Sequence, residues 1–483
     1  MTSSDYYNDH TWGSPGAGSL GLSALKDAYG LDDESRDWVE ALVDEFESHE
    51  EHNAMLEDYY DGRVTVADYG VGSDIRNDQT CHWPQQAVDA LASRVHLERF
   101  ASDDGRAVEI LNEIDARCGI VSGYNAYIGS KYLYGCMCAT VNNTQDGPSV
   151  MFHSARTFTA IPDGGRCMGG TVAAGLAIAR FERPSWDRLH AVPTVVHVYL
   201  PHNTIELVQK ERDGWVAEMG PHPLEKPMLY VFTHNRKGGV APFGQTRITR
   251  FVRTLTDDAI RCLWHMQVSG SFYSMAKMYI TGLSDEQFNA MISDKQKYQL
   301  DRLLLLTEGG AGEGENAKVG QLSGNSPQPF IDELRSLASQ FSGATGVPLN
   351  SLGIVQDNPS SAEAIQAARE DICLIARRDA EDDKAVLANM AGALLGIAGE
   401  QPADVRAKYS DPLLNSMASK ADWATKVSAI MPSFGDTDVA ARLVGLDEAD
   451  IAELRSERTR ATANAIMQRL AFGATTPNGE GVE

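Results

Sequence analysis

The stretch from Ser361 to Ala398 constrains this chain most, because apolar residues recur through it at helical spacing with no proline to interrupt them. Ile365, Ala368, Ile372, Ile375, Val386, Met390, Leu394 and Ile397 trace one face. Ser360 followed by Glu363 forms an S-x-x-E capping box, in which the hydroxyl and the carboxylate each satisfy a backbone N–H left free at the helix start; Pro359 precedes the cap. At 1.5 Å per residue such a helix is about 55 Å long, beyond the usual element of a small domain. It can bury its stripe only if something large lies alongside. Upstream, Gly343, Gly346 and Pro348 end a preceding helix, and Leu349 to Asn358 form an irregular loop because Asn358-Pro359 disfavours helix.

Around this element the chain reads as an α+β protein. Residues 1–30 are rich in Ser, Gly, Tyr and Asp and have the composition of a mobile arm. Asp33 or Ser35 caps a helix with Trp38, Leu42, Phe46 and Met55 on its apolar face, ending near Tyr59-Tyr60-Asp61-Gly62. Its His49-Glu50-Glu51-His52 lacks the H-E-x-x-H zinc spacing and reads as a solvated face. Residues 83–100 start a second helical region, with Pro84 at a favourable first position, and Val108–Cys118 and Tyr124–Tyr134 add two more. Tyr124, Tyr127, Tyr132 and Tyr134 could stack on bases, but core packing explains them better, since strand-like sequence follows directly. From Ser149 to Phe232 the period changes to that of a mostly antiparallel sheet. Gly165 to Thr171 imitates a phosphate loop without the lysine that must reach the phosphates.

Five basic residues then gather in an acidic chain: Arg236, Lys237, Arg247, Arg250 and Arg253. Contact with DNA or an acidic partner, or pairing with acids of a neighbouring subunit, would each use them. Thr254 or Thr256 caps a helix running to about Ile280, with Asp257 and Asp258 in its first turn. From Leu283 to Pro327 come a short helix, the strand RLLLLTE, a Gly-rich loop and a second strand, AKVGQL. Pro329-Phe330 opens the next helix. Beyond the long helix, Pro402, Pro412 and Pro432 punctuate shorter helices, including Lys420–Ile430, Thr437–Leu443 and a last one capped near Asp447.

The run GVPLNSLG, a short polar loop, then NPSSAEAI and a long amphipathic helix resembles the portal proteins of long-tailed bacteriophages, particularly those of actinobacteria. The resemblance extends in order from about residue 35 to 470 and implies the portal fold: a flexible arm (1–30), a wing (31–253), a first stem helix (254–281), a clip (282–327), a second stem helix (328–345), a tunnel loop (346–360), a spine helix (361–398), crown helices (399–472) and a disordered tail (473–483). It implies a ring, usually of twelve subunits, at one capsid vertex of the virion, assembled in the host cytoplasm, through which double-stranded DNA is packaged and ejected. The partners it implies are the large terminase subunit, the major capsid protein, a scaffolding protein and a head-to-tail adaptor. Val355, Gln356, Asp357 and Asn358 would face the DNA from the tunnel-loop tip. Glu308, Gly310, Gly312, Glu313, Glu315 and Lys318 would form the clip surface where partners dock.

A formal net charge of -25 argues against a protein that grips nucleic acid, because gripping relies on Lys and Arg displacing counterions from phosphate. A conduit that lets DNA slide has no such need, and acidic walls repel phosphates. The seven cysteines are scattered without a C-x-x-C pair and read as reduced core thiols. No apolar run of membrane-spanning length and no secretory leader pattern is present, so no membrane is expected. Neither a cofactor nor a metal site is expected. A packaging ATPase or nuclease would need a G-x-x-x-x-G-K-[ST] loop or clustered acidic ligands. The first is absent, and the pairs Asp103-Asp104 and Asp382-Asp383 read as solvated. A non-conducting adaptor ring is the remaining alternative, although such chains are shorter and lack a clip between two stem helices.

Overall fold

A computed structural model describes residues 20–66, 79–144, 147–164, 168–182, 191–210, 214–222, 224–237, 241–273, 278–283, 289, 303–307, 318–321, 326–354, 362–401, 403–413, 417–444, 451, 454–456, 459–460 and 463. The chain divides into two compact units, Met1–Pro412 and Leu413–Glu483.

In the first unit, helix α1 (Asp33–Tyr60) begins at Asp32, whose carboxylate accepts from the Ser35 backbone N–H at 2.9 Å, and Asp33 and Glu34 complement its dipole. Residues 20–30 do not belong to an arm. A 3-10 turn at Leu22–Asp27 buries Leu22 and Leu25 in one core with Val39, Leu42 and Phe46, because their apolar side chains outweigh the polar neighbours that suggested mobility. That core lies on one face of a five-stranded antiparallel sheet, β4 (Phe158–Ile161), β5 (Ala174–Glu182), β6 (Val192–Leu200), β7 (Asn203–Lys210) and β8 (Gly214–Pro221), in sequence order. A second sheet pairs β2 (Cys136–Thr144) with β3 (Gly147–Ser154) and with β9 (Leu229–Thr233), β2 at the centre.

Helix α2 (Trp83–Ala92) stops short of the expected region, and Leu97–Ser102 instead forms strand β1. Its antiparallel partner, β13 (Val405–Tyr409), comes from a segment expected among the last helices. A distant pairing partner overrides the local period here, and a side-chain amide fixes it: Asn125 accepts from the Leu97 N–H at 2.8 Å and donates to the Leu97 carbonyl at 2.9 Å. Asn125 sits on α4 (Ile120–Tyr134), which follows α3 (Gly105–Cys118) through Gly119 at φ 66°. Asp104 caps α3, so of the pair Asp103-Asp104 one carboxylate has a structural task.

Helix α5 (Arg250–Tyr273) starts earlier than the sequence suggests. Thr249 accepts from the Val252 N–H, whereas Thr254 and Thr256 sit inside the helix and donate to the Arg250 and Val252 carbonyls. Residues 278–280, expected as the end of this helix, belong instead to strand β10 (Met278–Leu283), flanked by β11 (Leu303–Thr307, parallel) and β12 (Lys318–Gln321, antiparallel). Helix α6 (Gln328–Thr345) packs along α5, where Cys262 Sγ meets the Phe330 carbonyl at 3.3 Å, and ends at Gly346 in the left-handed region. Helix α7 (Ala362–Ile397) is the long element; its predicted cap at Ser360 lies outside the described residues. Ile372, Ala376, Leu387, Met390, Ala391 and Leu394 on its inner face are at most 1% exposed. Each large side chain among them stabilises the docking by about 1.5–3 kcal/mol.

The second unit contains α8 (Met417–Ile430), a 3-10 turn at Pro432–Asp436 and α9 (Asp438–Val444), with the Thr437 hydroxyl accepting from the Ala440 N–H at 3.3 Å. The cap expected at Asp447 lies outside the described residues.

Candidate functional site

The inner stripe of α7 is interrupted by two carboxylates one turn apart, Asp379 and Asp383, 3% and 1% exposed. The apolar spacing runs from Ile375 to Val386 across them, and the pair Asp382-Asp383 reads in sequence as solvated. Helices α4 and α7 instead bring Asp383 onto Lys131, itself fully buried, whose ammonium donates to both carboxylate oxygens at 2.8 and 2.9 Å. Tyr124 donates to the same carboxylate at 2.5 Å and receives the Tyr409 hydroxyl proton at 3.2 Å, so α4, α7 and β13 meet in one polar knot. Burial pushes the Asp383 carboxyl up, against the pull of Lys131 and Tyr124. Burial acts on Asp379 in the same sense. There it is outweighed by the hydrogen bond from His234 Nδ1 at 2.7 Å, by the Lys131 charge and by Tyr132, and its carboxyl is held below the usual range. Tyr132 presents its ring edge-on to His234, with centroids 5.1 Å apart. Of the four tyrosines read as core, Tyr124 and Tyr132 are fully buried and Tyr127 is partly exposed against Phe152.

His234 directly follows β9, and the chain next crosses over Gly135. The His234 N–H donates to the Gly135 carbonyl at 2.9 Å, and the His234 carbonyl accepts from Gln245 at 2.8 Å. The two glycines at this crossing have φ of 101° (Gly135) and 85° (Gly244). A Cβ on Gly135 would lie 2.9 Å from the Gln245 backbone, and one on Gly244 would strike the carbonyl oxygens of His234 and Gly135. Three backbone segments therefore pass in contact. Arg247 is drawn inward by the same crossing: its N–H bonds the Tyr132 carbonyl, and its guanidinium donates to the Ala87 and Thr345 carbonyls at 2.6 and 2.5 Å. That ties α2, α4 and the end of α6 together.

Not all five cations of residues 236–253 are therefore open to a partner. Arg247 is 9% exposed with both arms used internally, which removes it from any partner contact. Arg236 lines a 210 Å³ cavity beside Glu381, Asp382 and Asp383 of its own chain, and Arg253 folds back on the Ile248 carbonyl. Arg236, Lys237 and Arg250 are exposed. Gly169 and Gly170, from the loop that imitates a phosphate cradle, also line this cavity, with Asn389 of α7 donating to the Gly169 carbonyl at 2.8 Å. The loop is thus a docking turn. Val355, Gln356, Asp357 and Asn358, and Glu308, Gly310, Gly312, Glu313 and Glu315, lie outside the described residues; Lys318 stands opposite Thr281 at the β10–β12 edge. Among the described residues no group of three or more His, Cys, Asp or Glu is placed to hold a metal, and no helix is long and apolar enough to cross a membrane.

The buried acids carried one sequence signal, their i,i+4 spacing on an apolar stripe. Lys131, 252 residues away from Asp383, carried none.

No family model matches the chain. It is similar to the portal protein of Mycobacterium phage L5, 28% identical over 413 residues covering 80% of this chain and 81% of that protein. It is also 28% identical over 244 residues to the portal protein of Mycobacterium phage D29, a match spanning 48% of each chain, about half of that relative's length. Among solved structures, a chain of the virion of a native gene transfer agent particle shares 13% identity at a TM-score of 0.44, covering 82% of this chain and 93% of that one. The resemblance to actinobacteriophage portal proteins thus holds over four fifths of the sequence.

Proposed function

We propose that this chain is a portal protein: copies assemble into a ring at one capsid vertex, double-stranded DNA passes through the ring during packaging and ejection, and the same ring receives the terminase and the head-to-tail adaptor. The observation that carries this reading is the similarity to the phage L5 portal protein over 80% of the chain. The geometry supplies a rationale for the parts. Helices α5 and α6 pack along each other and bracket the β10–β12 sheet, as a paired stem brackets a clip. Three strands are close to the smallest sheet that is stable alone, which suits completion by neighbouring copies. Helix α7 is anchored by Asp383 to Lys131 of α4 and by Asp379 to His234, and the sequence Gln356-Asp357-Asn358 ahead of it, polar and without Lys or Arg, suits transient phosphate contact.

Negative-stain images of the purified protein test the proposal. Top views of rings with a central hole wide enough for a duplex are expected. A monomer at every concentration, with or without scaffolding protein, together with ATP turnover by the isolated chain, would overturn it and favour a packaging enzyme.

A further inference from the structure

Between the middle of α7 and the end of β13 lies an open groove of about 410 Å³. Its floor is made of small buried side chains, Val95, Ala376, Ala380 and Ala407, all at most 9% exposed. Such a floor leaves room for a flat, bulky side chain and offers it apolar contact. The rim is charged. Glu381 is paired with Lys384 at 2.5 Å and Asp411 with Arg377 at 3.1 Å, so two of its cations are neutralised. The Arg94 guanidinium donates to the Ala90 carbonyl at the end of α2, and neither Arg94 nor Lys408 has an acidic partner among the described residues. The groove therefore carries two uncompensated positive charges in a chain whose net charge is -25. On such a surface an excess of cations beside an apolar floor selects a ligand that combines negative charge with an aromatic anchor.

We propose that this groove is the docking site of residues 1–19 of the chain itself. That segment contains Asp5 and Asp9 and no Lys or Arg, and it supplies Tyr6, Tyr7 and Trp12 as anchors. The other terminal segment, 473–483, has Glu480 and Glu483 but no aromatic residue, and so matches the rim without matching the floor. A duplex would use the cations and leave the apolar floor empty. The described chain starts at Leu20, and position 12 lies eight residues before it, a reach of about 26 Å at roughly 3.3 Å each. Docking here would lay the arm against Tyr409, whose hydroxyl reaches Tyr124 and through it the Asp383 knot.

The test uses the full chain with a photo-crosslinking phenylalanine analogue at position 12, irradiated in solution and mapped by mass spectrometry. Crosslinks to residues 94–95, 376–384 and 407–412 are expected, reduced about tenfold by Lys408→Glu, which reverses a rim charge at an exposed position. Filling the floor with Ala380→Leu should reduce them as well. Absent crosslinks, crosslinks to another surface, or a yield unchanged by Lys408→Glu would overturn the proposal; so would loss of the crosslink on adding a short DNA duplex, which would make the groove a nucleic-acid site. Docking requires no ring, so its failure leaves the portal reading standing.

Discussion

Replacing Lys131 by Met tests the polar knot beneath the long helix. Met has nearly the volume and shape of the lysine stem, so packing is kept while the ammonium is lost. Asp383, 1% exposed, is then left with Tyr124 as its donor in the knot. Breaking a buried ion pair from one side costs about 3–5 kcal/mol because the remaining charge is stranded away from water. The alternative open to Asp383 is to take up a proton. Burial already pushes its carboxyl up, and loss of the lysine pushes it further, so the folded state of the variant binds a proton that the unfolded state, titrating near 3.8, has released. The sign follows: the destabilisation grows as pH rises above the ordinary carboxylate range, and it is smaller at pH 5 than at pH 8. Equilibrium urea unfolding of the unassembled chain at both pH values measures this. The double variant Lys131→Met/Asp383→Leu removes both charges and should recover most of the loss, since apolar replacement of a buried pair is often neutral or better. A single variant costing under about 1 kcal/mol at pH 8, or a double variant less stable than either single, would refute the reasoning.

Three further outcomes are expected. His153 is 4% exposed, and burial lowers its pKa to about 4, so stability that is full above pH 6.5 should fall by up to about 3 kcal/mol as pH drops to 4; His153→Gln should flatten that part of the pH–stability curve. Gly244→Ala should lower stability by at least ~2 kcal/mol in thermal unfolding, through both its positive φ and the two carbonyls it would strike, whereas Gly214→Ala, at φ 68° with nothing near its Cβ, should cost only about 1 kcal/mol; equal costs would contradict the crossing. Replacing Gln356, Asp357 and Asn358 together by lysine should slow DNA translocation while rings still form, read by a packaging assay beside electron microscopy, and unchanged packaging would remove the loop tip from the channel.

The legible parts of this fold were those with long local periods. Helices α1, α6 and α7 and the strands from 149 to 232 announce themselves through caps and stripes within a few residues of their observed ends. Strands β1, β10 and β13 did not, because each owes its conformation to a partner: Leu97 pairs with Tyr409 across more than half the chain. The basic segment shows the same limit, since nothing near Arg247 in sequence reveals that Ala87 and Thr345 await its guanidinium. Asp382 and Asp383 look alike as letters. Only the helix's orientation makes one solvated and the other the deepest charge on α7 among the described residues.

The spacing of Asp379 and Asp383 has a mechanical consequence. A slide of α7 by four residues toward its C-terminus, about 6 Å, carries Asp379 to where Asp383 stood and gives Lys131 a carboxylate again. A shorter straight slide moves Asp383 off the ammonium before Asp379 has arrived, and a four-residue slide the other way presents Leu387 to it. Along its axis the long helix is therefore indexed like a notched rod, with a further notch in one direction only.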